Sequence, residues 1–221
     1  MSPLVIAIDG PSGSGKGTLA RGLADRYNFA VLDTGLIYRA LGSRLLRLGW
    51  DFTSEDFAVQ AAQGLTQEDL DNPDNRLDTV ALAASRVATF SRVRAVLDQY
   101  QRDFSKAPPG GKTGAILDGR DIGTVICPDA PVKLYLVAED TIRAKRRFEE
   151  LQSRGIKGIY ADVLDDIRAR DKRDKERKTS PLCPAKDALI LDTSGLTSKE
   201  VLSWACNIIE SSPAFKARHK A

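Results

Sequence analysis

The sequence predicts an α/β fold, a five-stranded parallel sheet with helices on both faces and a helical insertion. Three observations lead there. Five short apolar runs, at 4–9, 30–32, 114–117, 132–137 and 188–191, are separated by stretches of helical periodicity. The runs are apolar at consecutive rather than alternate positions, as strands buried on both faces are. The first run also leads through a glycine-rich loop directly into a helical pattern, the start of a parallel α/β unit.

That first unit is the most informative. Leu4-Val5-Ile6-Ala7-Ile8-Asp9 is followed at once by Gly10-Pro11-Ser12-Gly13-Ser14-Gly15-Lys16. Leu19, Ala20, Leu23, Ala24 and Tyr27 then recur at helical spacing. Strand, glycine loop, lysine and helix is the context in which G-x-x-x-x-G-K holds phosphate. Glycines let successive N–H groups converge on phosphate oxygens at the positive end of the helix, and Lys16 adds a point charge for the outer phosphates. Gly17 follows Lys16, and the hydroxyl comes one place later at Thr18. In GTPases and many ATPases the hydroxyl directly after the lysine holds Mg²⁺. The form Gly15-Lys16-Gly17-Thr18 resembles the nucleoside monophosphate kinases instead.

The remaining elements follow in order. Residues 30–32 form a second strand that exits through Asp33-Thr34-Gly35. Residues 36–48 are helical, with Ile37, Leu41 and Leu45 on one stripe and Gly49 as a stop. Tyr38 and Arg39 then sit in the first turn, at the sheet edge where open α/β proteins bind ligands. From 50 to 109 no strand is visible. Thr53-Ser54-Glu55-Asp56 reads as a cap, 70–75 as turns, and Val80, Ala84, Val87, Ala88 and Val93, Leu97, Tyr100, Phe104 as two helical stripes. Pro108-Pro109-Gly110-Gly111 closes this insertion.

The sheet resumes at 114–117, which runs into Asp118-Gly119-Arg120-Asp121, and again at 132–137. Asp140 is expected to cap a helix through Ile142, Phe148 and Leu151, with Arg143, Arg146 and Arg147 on its other faces. Residues 153–160 form a glycine-containing mobile loop. A helix from Val163 turns almost wholly charged over 168–178, and Thr197-Ser198-Lys199-Glu200 is a capping box for the last helix. Residues 1–212 are expected to be one domain, with the insertion at about 38–109 and a short lid at about 152–162. Residues 213–221 are a basic tail, of which 215–221 are expected to lack order.

Composition narrows the class. The 221 residues are 42% hydrophobic and 29% charged, as in a soluble globular protein, and no apolar run nears a membrane span. No basic-then-apolar leader precedes Leu4, so a cytoplasmic location is expected. Cys127, Cys183 and Cys206 are odd in number and widely spaced, and His219 is the one histidine, which supports neither a disulfide framework nor a zinc site. A net charge of +3 is too small to imply a nucleic-acid partner by itself, and the basic segments lack interleaved aromatics. No Asn-Lys-x-Asp motif is present, which argues against a GTPase switch.

Two constellations carry further chemistry. Asp118 closes a buried strand, where a carboxylate can direct Mg²⁺, and Arg120 and Asp121 follow at the same sheet edge. Arg170, Asp174 and Arg177, with Arg173 between, share one helical face by spacing. Charge runs are commonly solvated, but phosphoryl transfer depends on positioned positive charge, and these arginines follow a glycine-containing loop.

The segments 10–18, 32–35 with Tyr38 and Arg39, and 118–124 together resemble the bacterial cytidylate kinases. So do Arg170-Asp171-Lys172-Arg173-Asp174 with Arg177 and Pro181-Leu182, and Ser85-Arg86-Val87-Ala88 leading to Val93-Arg94. Ser91 stands where that family usually has proline. The resemblance implies a P-loop kinase fold, ATP as donor with Mg²⁺, and CMP or dCMP as acceptor. UMP or AMP is the alternative acceptor. It further implies that Gly10, Pro11, Ser12, Gly13, Ser14, Gly15, Lys16, Gly17 and Thr18 hold ATP. Thr34, Tyr38, Arg39 and Arg120 would hold the CMP phosphate, and Ser85, Arg94 and Asp121 would read cytosine. Arg170 and Asp174 would meet the ribose, while Arg173 and Arg177 reach the phosphates. A monomer without membrane or nucleic-acid partners is expected.

Overall fold

The structure, a computed structural model, describes residues 2–177 and 179–218, and of Asp78 the backbone only. Strands β1 (Leu4–Asp9), β2 (Ala30–Asp33), β3 (Gly114–Gly119), β4 (Val132–Val137) and β5 (Leu189–Asp192) form one sheet in the order β2-β3-β1-β4-β5. β1 pairs in parallel with β3 and β4, and β4 with β5. The register sets Ile8 beside Asp118 and Asp9 beside Gly119. The loops that follow β1 and β3 therefore leave the same sheet edge as neighbours, although far apart in sequence.

The helices are α1 (Lys16–Tyr27), α2 (Thr34–Arg47), α3 (Glu55–Gln63), α4 (Gln67–Asp71), α5 (Asp78–Val87) and α6 (Ser91–Lys106). After β3 come α7 (Asp140–Ser153), α8 (Tyr160–Glu176), α9 (Ser198–Ser211) and α10 (Pro213–Lys216). The chain divides into two compact units, Met1–Val31 with Ser105–Ala221, and Leu32–Phe104.

In the first unit Leu4, Ile6 and Ile8 of β1 pack with Leu19 and Leu23 of α1 and with Val201, Ala205 and Ile209 of α9. Each such aliphatic chain taken from water contributes about 1.5–3 kcal/mol. Cover is incomplete at β5. Leu189 and Ile190 are 48% and 58% exposed, while Leu191 packs on the core. β5 is an edge strand with one neighbour, so burial on both faces holds for the inner strands and not there.

In the second unit Ile37, Leu41 and Leu45 turn the apolar face of α2 inward. Gly42 lets α5 approach, because a Cβ there would stand 3.0 Å from the Ala84 nitrogen. Buried Asp69 accepts from Arg44 at 2.7 Å and from Arg47, and it closes a capping box with Thr66 at the start of α4.

Several local expectations change. α2 begins at Thr34, so Tyr38 and Arg39 lie in its second turn rather than its first. On α6 the buried face holds Val93, Arg94, Leu97, Asp98 and Gln101, whereas Tyr100 is exposed. Polar burial there hid the true stripe. Asp140 is not the N-cap: it is the first residue of α7, after Glu139, and pairs with Arg168 at 2.7 Å. Arg143 is buried rather than on an outer face. α8 stops at Glu176, which leaves Arg177 just beyond the helical face it was assigned to. Residues 213–216 are helical, with Phe215 packed on the core and edge-on to Tyr27 at 5.4 Å, so this part of the tail is ordered. The expectation for 219–221 lies outside the described residues. None of the helices among the described residues is long and apolar enough to cross a membrane.

Candidate active site

A loop that binds an anion through its amides must point those amides together and engage its carbonyls elsewhere. Gly10, Gly13 and Gly15 take φ of 144°, 78° and 93° to do this, conformations that a Cβ disfavours. Gly10 is also needed for space, since a Cβ would fall 2.1 Å from the Leu136 carbonyl oxygen. The carbonyls are engaged by side chains. Pro11 O accepts from Lys16 Nζ at 2.8 Å and Ser14 Oγ at 3.0 Å. Ser12 O accepts from Arg143 and Ser14 O from Thr193 Oγ1, each at 3.1 Å. Ser14 N donates to Pro11 O at 3.4 Å within the loop; the other amides of the loop and the positive end of α1 are what the loop offers an anion.

Charge gathers around this loop. Burial above all, then Arg120 and Arg170, lowers the Lys16 ammonium, Asp118 and Asp9 oppose them, and the net is about 7. A polyanion would relieve that crowding of cations. Asp118 is buried at the end of β3, and its Oδ2 would stand 3.3 Å from a Cβ on Gly17. Arg120 Nε donates to Asp174 Oδ2 at 3.0 Å. Burial alone would raise the Asp174 carboxyl, but Arg120, Arg170 and Arg177 outweigh it and hold it below the usual range. Beyond α8, Arg177 donates to Ser180 O at 2.9 Å and Leu182 N donates to Asp174 O at 2.8 Å, folding the chain back. Of the residues expected here, Lys16, Asp118, Arg120, Arg170, Asp174 and Arg177 are thus brought together. Arg173 is exposed on α8.

Asp121 is buried, and its carbonyl accepts from Val125 and Ile126 at 2.9 and 3.2 Å in a wide helical turn, Ile122–Ile126. The turn's first amides meet a residue that the sequence did not single out. Asp9 accepts from Ile122 N and Gly123 N, both at 2.8 Å, so the end of β1 fixes the segment that carries Arg120 and Asp121. Burial raises its carboxyl to about 6, against the pull of those two amides. An acid ending an apolar run was the available signal. Thr193 and Arg143 gave none.

The second unit holds the other expected residues. Thr34 is buried at the start of α2, where Asp33 caps Leu36 N at 3.1 Å. Arg39 donates to Asn75 O at 3.1 Å, and Asn75, fully buried, donates to Asp69 O at 2.7 Å. Arg94 reaches from α6 over the Tyr38 ring, 5.8 Å from its centroid, and lies 3.8 Å from Asp98. Ser85 is half-buried on α5. The unit therefore gathers Tyr38 with the buried guanidinium of Arg94, a cation–π pairing that Arg favours.

Comparison with known proteins adds ancestry to this geometry. Residues 6–211 match the family described as Cytidylate kinase. The cytidylate kinase of Paramagnetospirillum magneticum is 53% identical over 207 residues, spanning 94% of this chain and 98% of the relative. That of Bartonella bacilliformis is 48% identical over 220 residues, spanning 99% of each. That of Rhodopseudomonas palustris is 48% identical over 215 residues, spanning 97% and 100%. Among solved structures, an uncharacterized protein from Eubacterium ventriosum shares the fold at a TM-score of 0.53 and 13% identity, over 94% of this chain and 98% of that one.

Proposed function

The chain belongs to the cytidylate kinase family, and from that premise we propose that it transfers the γ-phosphoryl group of ATP to CMP or dCMP, giving ADP and CDP or dCDP. The observation that carries the reading is the meeting of a phosphate loop with Lys16, Arg120 and Arg170 around one point of positive charge. The amides of 10–18 hold the donor phosphates, and Lys16 lies at the outer ones. Arg120, Arg173 and Arg177 neutralise charge that spreads over the transferring group. No general base is needed, because the acceptor phosphate is already an anionic nucleophile.

Asp118 suits Mg²⁺, a hard cation that takes one or two carboxylates with the remainder of its shell from phosphates and water. When bound, the ion would offset charge on the donor phosphates. Asp9 is already committed elsewhere, each of its oxygens accepting from an amide of the segment after Asp121.

For the acceptor, Thr34, Tyr38, Arg39 and Arg120 hold the phosphate, Arg170 and Asp174 the ribose, and Ser85, Arg94 and Asp121 the base. The insertion at 38–109 supplies acceptor contacts, and the loop between α7 and α8 serves as the lid. The protein acts as a cytoplasmic monomer on small nucleotides, without nucleic-acid or membrane partners.

The choice of base follows from donor and acceptor patterns. Cytosine offers acceptors at O2 and N3 and a donor at its 4-amino group, which suit Arg94 and Asp121 respectively. Uracil presents an acceptor and a donor in the reversed places, facing a carboxylate with lone pairs. Sites of this kind discriminate by roughly 10⁴-fold. The test is kcat/KM over a panel of monophosphates with ATP and Mg²⁺, for the parent and Asp121→Asn. Strong preference for CMP and dCMP, eroded in the variant, is expected. Equal use of UMP and CMP by the parent would overturn the reading.

A further inference from the structure

Arg143 is a buried cation that the proposed chemistry leaves unused. It is 4% exposed, and a guanidinium is not buried without donors well spent on acceptors. Its three edges point to three elements. Nε donates to Ala138 O after β4 at 2.8 Å, Nη1 to Ser12 O in the phosphate loop at 3.1 Å, and Nη2 to Asp171 Oδ2 on α8 at 2.6 Å. The loop also rests on it sterically, since a Cβ on Gly13 would stand 3.0 Å from Arg143 Cβ. Asp171 follows Arg170 directly and precedes Asp174 by one turn of α8.

We propose that Arg143 and Asp171 are positioning residues, a strut through which helix α8 sets the phosphate loop, so that the loop's amides and the cations of α8 bear on the same phosphates. The weak point of an amide nest is a peptide that turns its carbonyl inward. The Ser12–Gly13 peptide is able to do so, because Gly13, at φ 78°, accepts either sense of rotation. Arg143 holds Ser12 O away from the ligand. Asp171 in turn aims Arg143, and it shares a helix with Arg170 and Asp174, whose charges reach Lys16 and Arg120. An arginine is required, because a lysine lacks the planar fork that serves three acceptors at fixed angles.

This inference rests on the reading of 10–18 as the ATP site. The experiment separates positioning from stability by using a known property of buried ion pairs: apolar replacement of both partners commonly leaves stability intact. In Arg143→Met with Asp171→Leu, the melting temperature should stay close to that of the parent. ADP affinity by calorimetry should fall about tenfold or more and kcat about 10²-fold, the cost of a small misplacement. CMP affinity without donor should be unchanged. A stable double variant with the parent's ADP affinity and kcat would overturn the strut, as would equal losses of ADP and CMP binding. Should the double variant not fold, Arg143→Lys decides, because it keeps the charge and loses the fork: weaker ADP binding with CMP binding intact supports the strut, and parent-like ADP binding overturns it. Failure of the parent itself to bind ADP would instead remove the ATP-site reading, and the strut with it.

Discussion

Replacing Lys16 by methionine keeps the length of the side chain and removes its ammonium. Lys16 is 6% exposed, and burial, reinforced by Arg120, lowers its pKa from 10.5 to about 7. A group fully charged when unfolded and half-charged when folded costs the folded state about 4 kcal/mol at pH 7. The unfolded chain binds more protons between pH 7 and 10.5, so the parent gains stability as pH rises through that window. At pH 9 the handicap falls to about 2 kcal/mol. Lys16→Met should therefore be more stable than the parent by up to about 4 kcal/mol at pH 7 and about 2 kcal/mol at pH 9. No carbonyl is orphaned, because Pro11 O keeps Ser14 Oγ as a donor. Catalysis moves the other way. Loss of a charge aimed at the transferring phosphates lowers kcat by about 10²–10³-fold. Urea unfolding at both pH values gives the first quantity, and ADP release coupled to NADH oxidation gives the second. An inactive variant that is less stable than the parent would make Lys16 a structural residue. A variant with the parent's turnover would refute the donor-site assignment.

Three further outcomes are expected. Gly15→Ala should lose about 1–3 kcal/mol from backbone strain alone, since nothing lies within 4 Å of its added Cβ. Gly10→Ala should lose distinctly more, because the added Cβ meets a β4 carbonyl at 2.1 Å; equal losses in urea unfolding would mean that the loop relaxes freely. Asp69→Ala should cost about 1–3 kcal/mol rather than the 3–5 kcal/mol of a fully buried pair, because Arg44 and Arg47 are 26% and 46% exposed and partly screened by solvent. The Asp9 carboxyl, raised from 3.8 to about 6, takes a proton more readily folded than unfolded, so its contribution favours folding at low pH and is lost as pH rises through about 6. The stability of the parent minus that of Asp9→Asn should thus fall by about 2 kcal/mol between pH 4 and pH 7, and a flat difference would refute the burial of a charged Asp9.

What the sequence determined by itself was whatever depends on neighbours along the chain. An apolar run ending at Asp9, glycines at 10, 13 and 15 and a lysine at 16 can form little else than strand, phosphate loop and helix, because the loop demands positive φ where only glycine is at ease. The helical insertion and the strands β3 and β4 were legible for the same reason, periodicity being a local property. Element ends were less so. α8 stops before Arg177, since the end of a helix depends on what the next residues, here Ser180 and Leu182, can bond to. Only the tertiary structure decided which charges are buried. Asp118 and Arg120 stand near Lys16 because β3, and not β2, pairs with β1, and nothing in either strand announces its partner. On α6 the inward face carries Arg94, Asp98 and Gln101 beside Val93 and Leu97, so the apolar stripe alone found one edge of it and missed the polar remainder. Asp9, Arg143 and Asp171 look in sequence like any charged residues of a strand end or helix. Their roles come from acceptors and donors supplied by segments more than a hundred residues away for Asp9 and Ser12, and such pairings exist only once the sheet has assembled.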